Sequence, residues 1–190
     1  MDRREAIAAL LQDRGEMLIV TGLGSPSYDL HSLGDQDSNY YLWGAMGGAA
    51  LVGLGLAQAQ PTRKILVLTG DGEQLMGMGG LATIGVAAPK NLTVVVVDNG
   101  HFGETGLQQS HTSQGVDLTK VALACGFDSA RVATTLSEVG DLRPHLKQEA
   151  AGPRMILLRV KAENLPRSLP VRDAVHLKNR LRTHLGLPLN

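Results

Sequence analysis

Two apolar runs, each ending in a polar corner, constrain this chain more than any other feature. Ile65–Thr69 runs into Gly70-Asp71-Gly72, and Leu92–Val97 runs into Asp98-Asn99-Gly100. Between them, Leu75–Val86 is apolar, with a helical character that glycines interrupt. A strand, a crossover helix and a second strand make a parallel pair, because the crossover returns the chain to the end of the sheet it left. Both strands then present their carboxyl ends at one edge, where open α/β sheets bind ligands.

The rest of the chain keeps this alternation. Asp2–Asp13 reads as a helix capped by Asp2, with Ile7, Leu10 and Leu11 as its apolar stripe. Met17–Thr21 and Asn39–Leu42 read as short strands, and Ala49–Ala59 as a small-residue helix stopped by Pro61. Beyond the second corner, Leu118–Cys125 and Leu136–Ala150 read as helices, Ser129–Val132 and Met155–Val160 as strands. Asn164–Pro170 is an extended linker. Arg172–Leu185 is a terminal helix with Val175, Leu181 and Leu185 on one side and a solvated basic face on the other. With no internal repeat and no break in composition, the expectation is a single domain over 1–190 with a helical tail from about 165. The pattern predicts an α/β fold, three layers α/β/α around a mainly parallel sheet.

Composition excludes several classes. Lys+Arg and Asp+Glu are both 18, so neither nucleic acid nor a membrane surface is an expected partner. Aromatics at 3% leave no platform for stacking bases. The single cysteine, Cys125, lies in apolar VALACGF and reads as a small core residue. MDRREAIAALL has no signal-peptide core and no run reaches transmembrane length, so a cytoplasmic protein is expected.

The corners carry the chemistry. Asp71 and Asn99 are hard oxygen donors suited to Mg2+, which takes an octahedron of oxygens and leaves part of it to phosphate. Gly70 and Gly72 let backbone approach a phosphate with no Cβ in the way. Each corner alone is also an ordinary turn; together, after two strands, they read as a metal–phosphate site. Gly22-Leu23-Gly24-Ser25-Pro26-Ser27 ends another strand, and Ser25 or Ser27 is placed to cap the next helix. Gly44-Ala45-Met46-Gly47-Gly48 opens the helix Ala49–Ala59, whose first amides favour an anion. Met46 taken alone reads as a core methionine. In the polar loop His101–Thr112, Glu104 and His111 are titratable candidates for proton transfer or for holding an anionic substrate, against a plainer reading as solvated loop residues.

The spacing of the corners resembles the signature of thiamine diphosphate-dependent enzymes, a Gly-Asp-Gly followed at a similar interval by a pair that is usually Asn-Asn. Here the 26 residues 73–98 separate Gly72 from Asn99, and the pair reads Asp98-Asn99. Counted from Asp71, Asn99 falls one residue late, as an insertion near Ala87–Asn91 would produce. From Tyr40 to about Thr112 the chain is similar to the diphosphate-binding domain of those enzymes. Gly70-Asp71-Gly72, Leu75-Met76, Gly79 to Ile84, Asn91-Leu92, Asp98-Asn99 and Thr105-Gly106 resemble the β subunits of sulfopyruvate decarboxylases and the matching half of phosphonopyruvate decarboxylases.

The resemblance implies a thiamine diphosphate-binding fold and a Mg2+ held by Asp71, Asn99 and the backbone carbonyl of His101. It implies cofactor contacts from Gly22, Gly44, Met46, Gly70, Asp71, Gly72, Glu73, Asn99, His101, Phe102, Gly103 and Thr105. Met46 would wedge between the two cofactor rings, and Glu104 and His111 would be the catalytic candidates. The glutamate that activates the aminopyrimidine ring sits on a separate domain in such enzymes. A pyrimidine-binding α subunit supplying it is therefore implied, in a hetero-oligomer of two plus two. The implied reaction is decarboxylation of a small 2-oxo acid. The alternatives are a carboligase, lyase or 2-oxo acid oxidoreductase subunit, or a non-catalytic binding subunit. Two positions depart from the pattern. Leu107 stands where those decarboxylases carry a second glycine, and the loop Gly22–Ser27 lacks an arginine that would suit a sulfonate or phosphonate.

Overall fold

The computed structural model describes residues 1–189. Its strands are β1 (Leu18–Thr21), β2 (Asn39–Tyr41), β3 (Ile65–Gly70), β4 (Leu92–Asp98), β5 (His101–Phe102), β6 (Gln108–Gln109), β7 (Ser129–Ala133) and β8 (Arg154–Arg159). Its helices are α1 (Arg3–Leu11), α2 (Ser25–Ser32), α3 (Ala49–Ala59), α4 (Asp71–Met76), α5 (Gly80–Ala87), α6 (Leu118–Ala124), α7 (Leu136–Leu142) and α8 (Ala174–His184). Six strands form one parallel sheet in the order β2-β1-β3-β4-β8-β7, while β5 and β6 make a small antiparallel hairpin.

The period of two along the central strands builds both core layers. Ile19, Leu66, Leu68, Val95, Val97, Ile156 and Leu158 face one side, where α1, α2 and α7 bring Ile7, Leu10, Leu30 and Val139. Leu18, Val20, Val67, Val94, Val96 and Leu157 face the other, against Leu54 of α3, Leu81 and Ile84 of α5, and Leu118 of α6. The result is the expected α/β/α sandwich. The chain runs outward from β1 to β2, then returns to lay β3 on β1's other side. That reversal opens a crevice at the carboxyl ends of β1 and β3, the usual ligand site of such sheets.

Several elements end elsewhere than the sequence suggests. The glycine-interrupted helix is two helices. α4 begins at Asp71 itself, and the break at Gly77–Gly79 lets two backbones touch, since a Cβ on Gly77 would lie 2.1 Å from the Gly47 carbonyl oxygen. α7 stops at Leu142 and gives way to a 3-10 turn, Arg143–Leu146, around Pro144, which has no amide to donate. α2 starts at Ser25 with Gly24 at its N-cap. Neither serine caps it; Ser27 Oγ instead donates to the Gly22 carbonyl at 2.7 Å and lies 2.5 Å from Thr21 Oγ1. Asn91 pins the entry to β4, its side-chain amide donating to the carbonyls of Ala57, Gln60 and Arg63 at 2.9–3.0 Å.

The C-terminal segment is a strap on the β2 side. Leu177 is its buried anchor, and Leu181 and Leu185 pack partly buried on the core as expected, whereas Val175 is exposed. The basic face is not simply solvated. Arg180 pairs with Asp35 at 2.5 Å and lies over the Tyr41 ring, and Arg172 lies over Trp43. The expected tail reaches residue 190, which lies outside the described residues. No helix among the described residues is long and apolar enough to cross a membrane.

Candidate active site

The site grows from the carboxyl ends of β1, β3 and β4. β3 and β4 are in register from Ile65 opposite Leu92 to Gly70 opposite Val97, so Asp71 and Asn99 emerge beside each other. A cleft there is lined by Met46, Gly70, Asp71, Gly72, Glu73, Asn99, His101, Phe102, Gly103, Glu104 and Thr105, together with Leu23, Ser25 and Pro26 of the β1–α2 loop. These side chains come from four separate loops. Of the residues singled out from sequence, Gly22, Gly44 and His111 are not on its wall. Gly22 lies directly behind Glu73, Gly44 is exposed, and exposed His111 meets the edge of the Phe102 ring at 5.9 Å.

Asp71 is buried, and its Oδ2 accepts from the hydroxyls of Ser110 and Thr112. Burial raises its carboxyl above the usual carboxylate value; the Ser110 hydrogen bond opposes that shift and nearby Asp98 adds to it. Ser110 and Thr112 were not legible as site residues. They stand 39 and 41 positions from Asp71, and a hydroxyl in a polar loop carries no local signal.

Asn99 Oδ1 accepts the His101 amide at 2.9 Å, and His101 Nδ1 lies 2.9 Å from the Asn99 carbonyl. This turn fixes the corner and leaves one lone pair of the amide oxygen for a cation. Asp98, although next in sequence, turns into the sheet. It accepts from Thr112 and from the Gly100 amide at 2.9 Å each, and Arg159 Nη1 lies 2.6 Å from its other oxygen. It is a fixture of the corner and no part of the cleft wall.

Met46 is 45% exposed, which removes the core reading; a large apolar side chain open to a cleft is a ready contact for a ligand. Glu104 stands at the rim, ion-paired to Arg167 at 2.9 Å. The donor set fits a metal–diphosphate group: a buried carboxylate, an amide oxygen and the backbone carbonyl of His101, with Gly70 and Gly72 beside them. One group sits uneasily in that set. Glu73, in the first turn of α4, is 4% exposed, and neither of its carboxylate oxygens closes a hydrogen bond.

A parallel sheet with an acidic βα corner at its topological switch and an amide corner after the next strand defines an α/β domain with its ligand cleft at the carboxyl ends of the strands. Residues 27–160 match the family described as thiamine pyrophosphate enzyme, C-terminal TPP binding domain, and the chain belongs to that family. It is 40% identical over 128 residues to sulfopyruvate decarboxylase subunit beta of Methanocaldococcus jannaschii, covering 67% of this chain and 68% of that one. It is 41% identical over 148 residues to phosphonopyruvate decarboxylase of Streptomyces viridochromogenes, covering 77% of this chain and 36% of that longer one. Among solved structures, benzoylformate decarboxylase from Polynucleobacter necessarius superposes with a TM-score of 0.69 at 20% identity, over 87% of this chain and 34% of that one. At that identity the likeness speaks for the fold alone.

Proposed function

We propose that this chain, as one domain over 1–190, is the diphosphate- and Mg2+-binding subunit of a two-component thiamine diphosphate-dependent 2-oxo acid decarboxylase. Its partner is a pyrimidine-binding subunit that brings the activating glutamate, in a cytoplasmic two-plus-two assembly. One observation carries the reading: Asp71 and Asn99, just past the ends of the adjacent parallel strands β3 and β4, open into one cleft with Met46. The names of the relatives, decarboxylases and in part β subunits, support it.

Thiamine diphosphate, when bound, would supply the electron sink that decarboxylation of a 2-oxo acid requires. Asp71, the Asn99 amide oxygen and the His101 carbonyl would hold Mg2+, and Gly70 and Gly72 would admit the phosphates close to the backbone. Met46 would set the angle between the cofactor rings. Phe102, Gly103 and Thr105 line the same wall. Glu104, on the rim, is the carboxylate of this chain placed to exchange a proton with substrate or to orient it. His111 acts through Phe102, whose ring it braces.

The test is to purify this chain with whatever protein accompanies it and to follow CO2 release from a panel of 2-oxo acids, including sulfonate- and phosphonate-bearing ones. Release that depends on added thiamine diphosphate and Mg2+ is expected. A complex that holds the cofactor yet releases no CO2 from any 2-oxo acid would count against the decarboxylase reading.

A further inference from the structure

The loop that leaves Asn99 folds back and is stitched beside it. Ser110, buried at its far end, donates its amide to the Gly100 carbonyl at 2.8 Å, and the Ser113 hydroxyl donates to the same oxygen at 2.5 Å. Gly100 has a φ of 67°, and a Cβ there would lie 2.3 Å from Ser113 Oγ, so both backbone and space require glycine. This return brings two hydroxyls to Asp71. Ser110 Oγ donates to Asp71 Oδ2. Thr112 Oγ1 lies 2.9 Å from Ser110 Oγ, 2.9 Å from Asp98 Oδ1 and 3.3 Å from Asp71 Oδ2. Each hydroxyl has one proton. Ser110 gives its own to Asp71, and Thr112 shares its own between the two carboxylates. Asp98 is fixed in turn by the Gly100 amide and by Arg159, which faces it from β8.

The pattern distinguishes the two oxygens of one carboxylate. Oδ2 of Asp71 is engaged by hydroxyls, whereas no side chain among the described residues hydrogen-bonds to Oδ1. Asp71 lines the cleft; Ser110 and Thr112 stand behind it and are not on its wall. Hydrogen bonds to an ionised acceptor are strong and directional, and groups that orient a metal ligand set the affinity for the metal. We propose that Ser110 and Thr112 are positioning residues for the metal corner. They hold Oδ2 and leave Oδ1 for Mg2+, and through Gly100 and Asp98 they keep the Asp71 corner in register with the Asn99 corner. The inference rests on the functional reading above and deepens it: the returning loop, and not the two strand ends alone, prepares the site for its cation.

The experiment is titration of Mn2+, a paramagnetic stand-in for Mg2+, into the full chain with its co-purifying partner and thiamine diphosphate. Electron paramagnetic resonance counts the free ion and reports the symmetry of the bound one. Wild type is compared with Ser110→Ala, Thr112→Val and Thr112→Ser. Thr112→Val keeps the branched shape and removes the hydroxyl; Thr112→Ser keeps the hydroxyl and removes the methyl. Ser110→Ala and Thr112→Val are expected to bind Mn2+ about 10–100-fold more weakly, the usual cost of losing a group that orients a metal ligand, and to change the spectrum of the bound ion. Thr112→Ser should match wild type in both. Wild-type affinity and spectrum in Ser110→Ala and Thr112→Val overturn the proposal. So does a Thr112→Ser as weak as Thr112→Val, because packing would then be responsible. Should Ser110→Ala not fold, the Thr112 pair decides alone. If wild type binds Mn2+ and the variants bind it equally well, the positioning role alone fails. If wild type takes up no Mn2+ with thiamine diphosphate, the functional reading fails and the inference falls with it.

Discussion

Arg167 and Glu104 form an ion pair of 2.9 Å across 63 residues, tying the C-terminal strap to the rim of the cleft. Arg167 also lies over the Tyr28 ring of α2, and Glu104 packs beside Gly24. Arg167 thus brings a guanidinium from the far end of the chain to the rim beside the loop Gly22–Ser27. Arg167→Ala should leave stability nearly unchanged, because the pair is exposed and such pairs are worth about 1 kcal/mol or less. It should raise KM by about tenfold for 2-oxo acids with a second anionic group, the loss of one charge-assisted hydrogen bond, and leave monoanionic ones unaffected. Urea unfolding and steady-state kinetics of the complex read the two effects separately. An equal change for both substrate classes would show that Arg167 does not select.

Glu73 makes the stability of the cofactor-free protein depend on pH in a definite direction. Burial holds its folded-state pKa above the ordinary 4.5, so ionising it costs the native state more than the unfolded one. Below the unfolded value both states keep the proton and the cost vanishes. As pH rises through and beyond that value, the cost appears and persists to neutrality. Glu73→Gln should therefore be more stable than wild type at pH 7, with the gap closing as pH falls below the ordinary value. Chemical denaturation across pH checks this; a gap that does not narrow toward low pH would assign the difference to packing.

Leu107 holds φ at 60°, in the left-handed region, directly after Gly106. A side chain there costs roughly 1–2 kcal/mol, which a glycine avoids. Leu107→Gly should leave the protein as stable or slightly more stable, the relieved strain offsetting about 0.5–1 kcal/mol of added chain entropy. Leu107→Val should destabilise it. Thermal unfolding of the pair gives the comparison, and Leu107→Gly ranking below Leu107→Val would contradict it.

Asn91 is the best-defined structural fixture outside the site. Asn91→Ala removes the donors for three carbonyls at the α3–β3 turn and should cost about 1–3 kcal/mol. Cofactor affinity should hold at temperatures where the variant stays folded.

Much of this was legible in the sequence because it is local. Ile65–Thr69 and Leu92–Val97 are apolar throughout since both faces of a parallel sheet are covered, and the corners after them are adjacent in sequence. What escaped is non-local. Ser110 and Thr112 reach Asp71 only once the loop folds back. Arg3 and Arg4 of α1 converge on buried Asp29 of α2, 25 or more positions away, at 2.5 and 2.8 Å. The basic face of the last helix likewise found Asp35 and aromatic rings contributed by distant residues. Pro26 occupies the first turn of α2, where a missing amide costs nothing.

The first measurement to make is calorimetric titration of thiamine diphosphate into the purified complex, with Mg2+ and then with the metal chelated, for wild type and Asp71→Asn. Saturable binding that requires Mg2+ in wild type and disappears in Asp71→Asn is the expected result. Metal-independent binding, or binding that survives the loss of the Asp71 carboxylate, would contradict the assignment of this corner as the metal–diphosphate site.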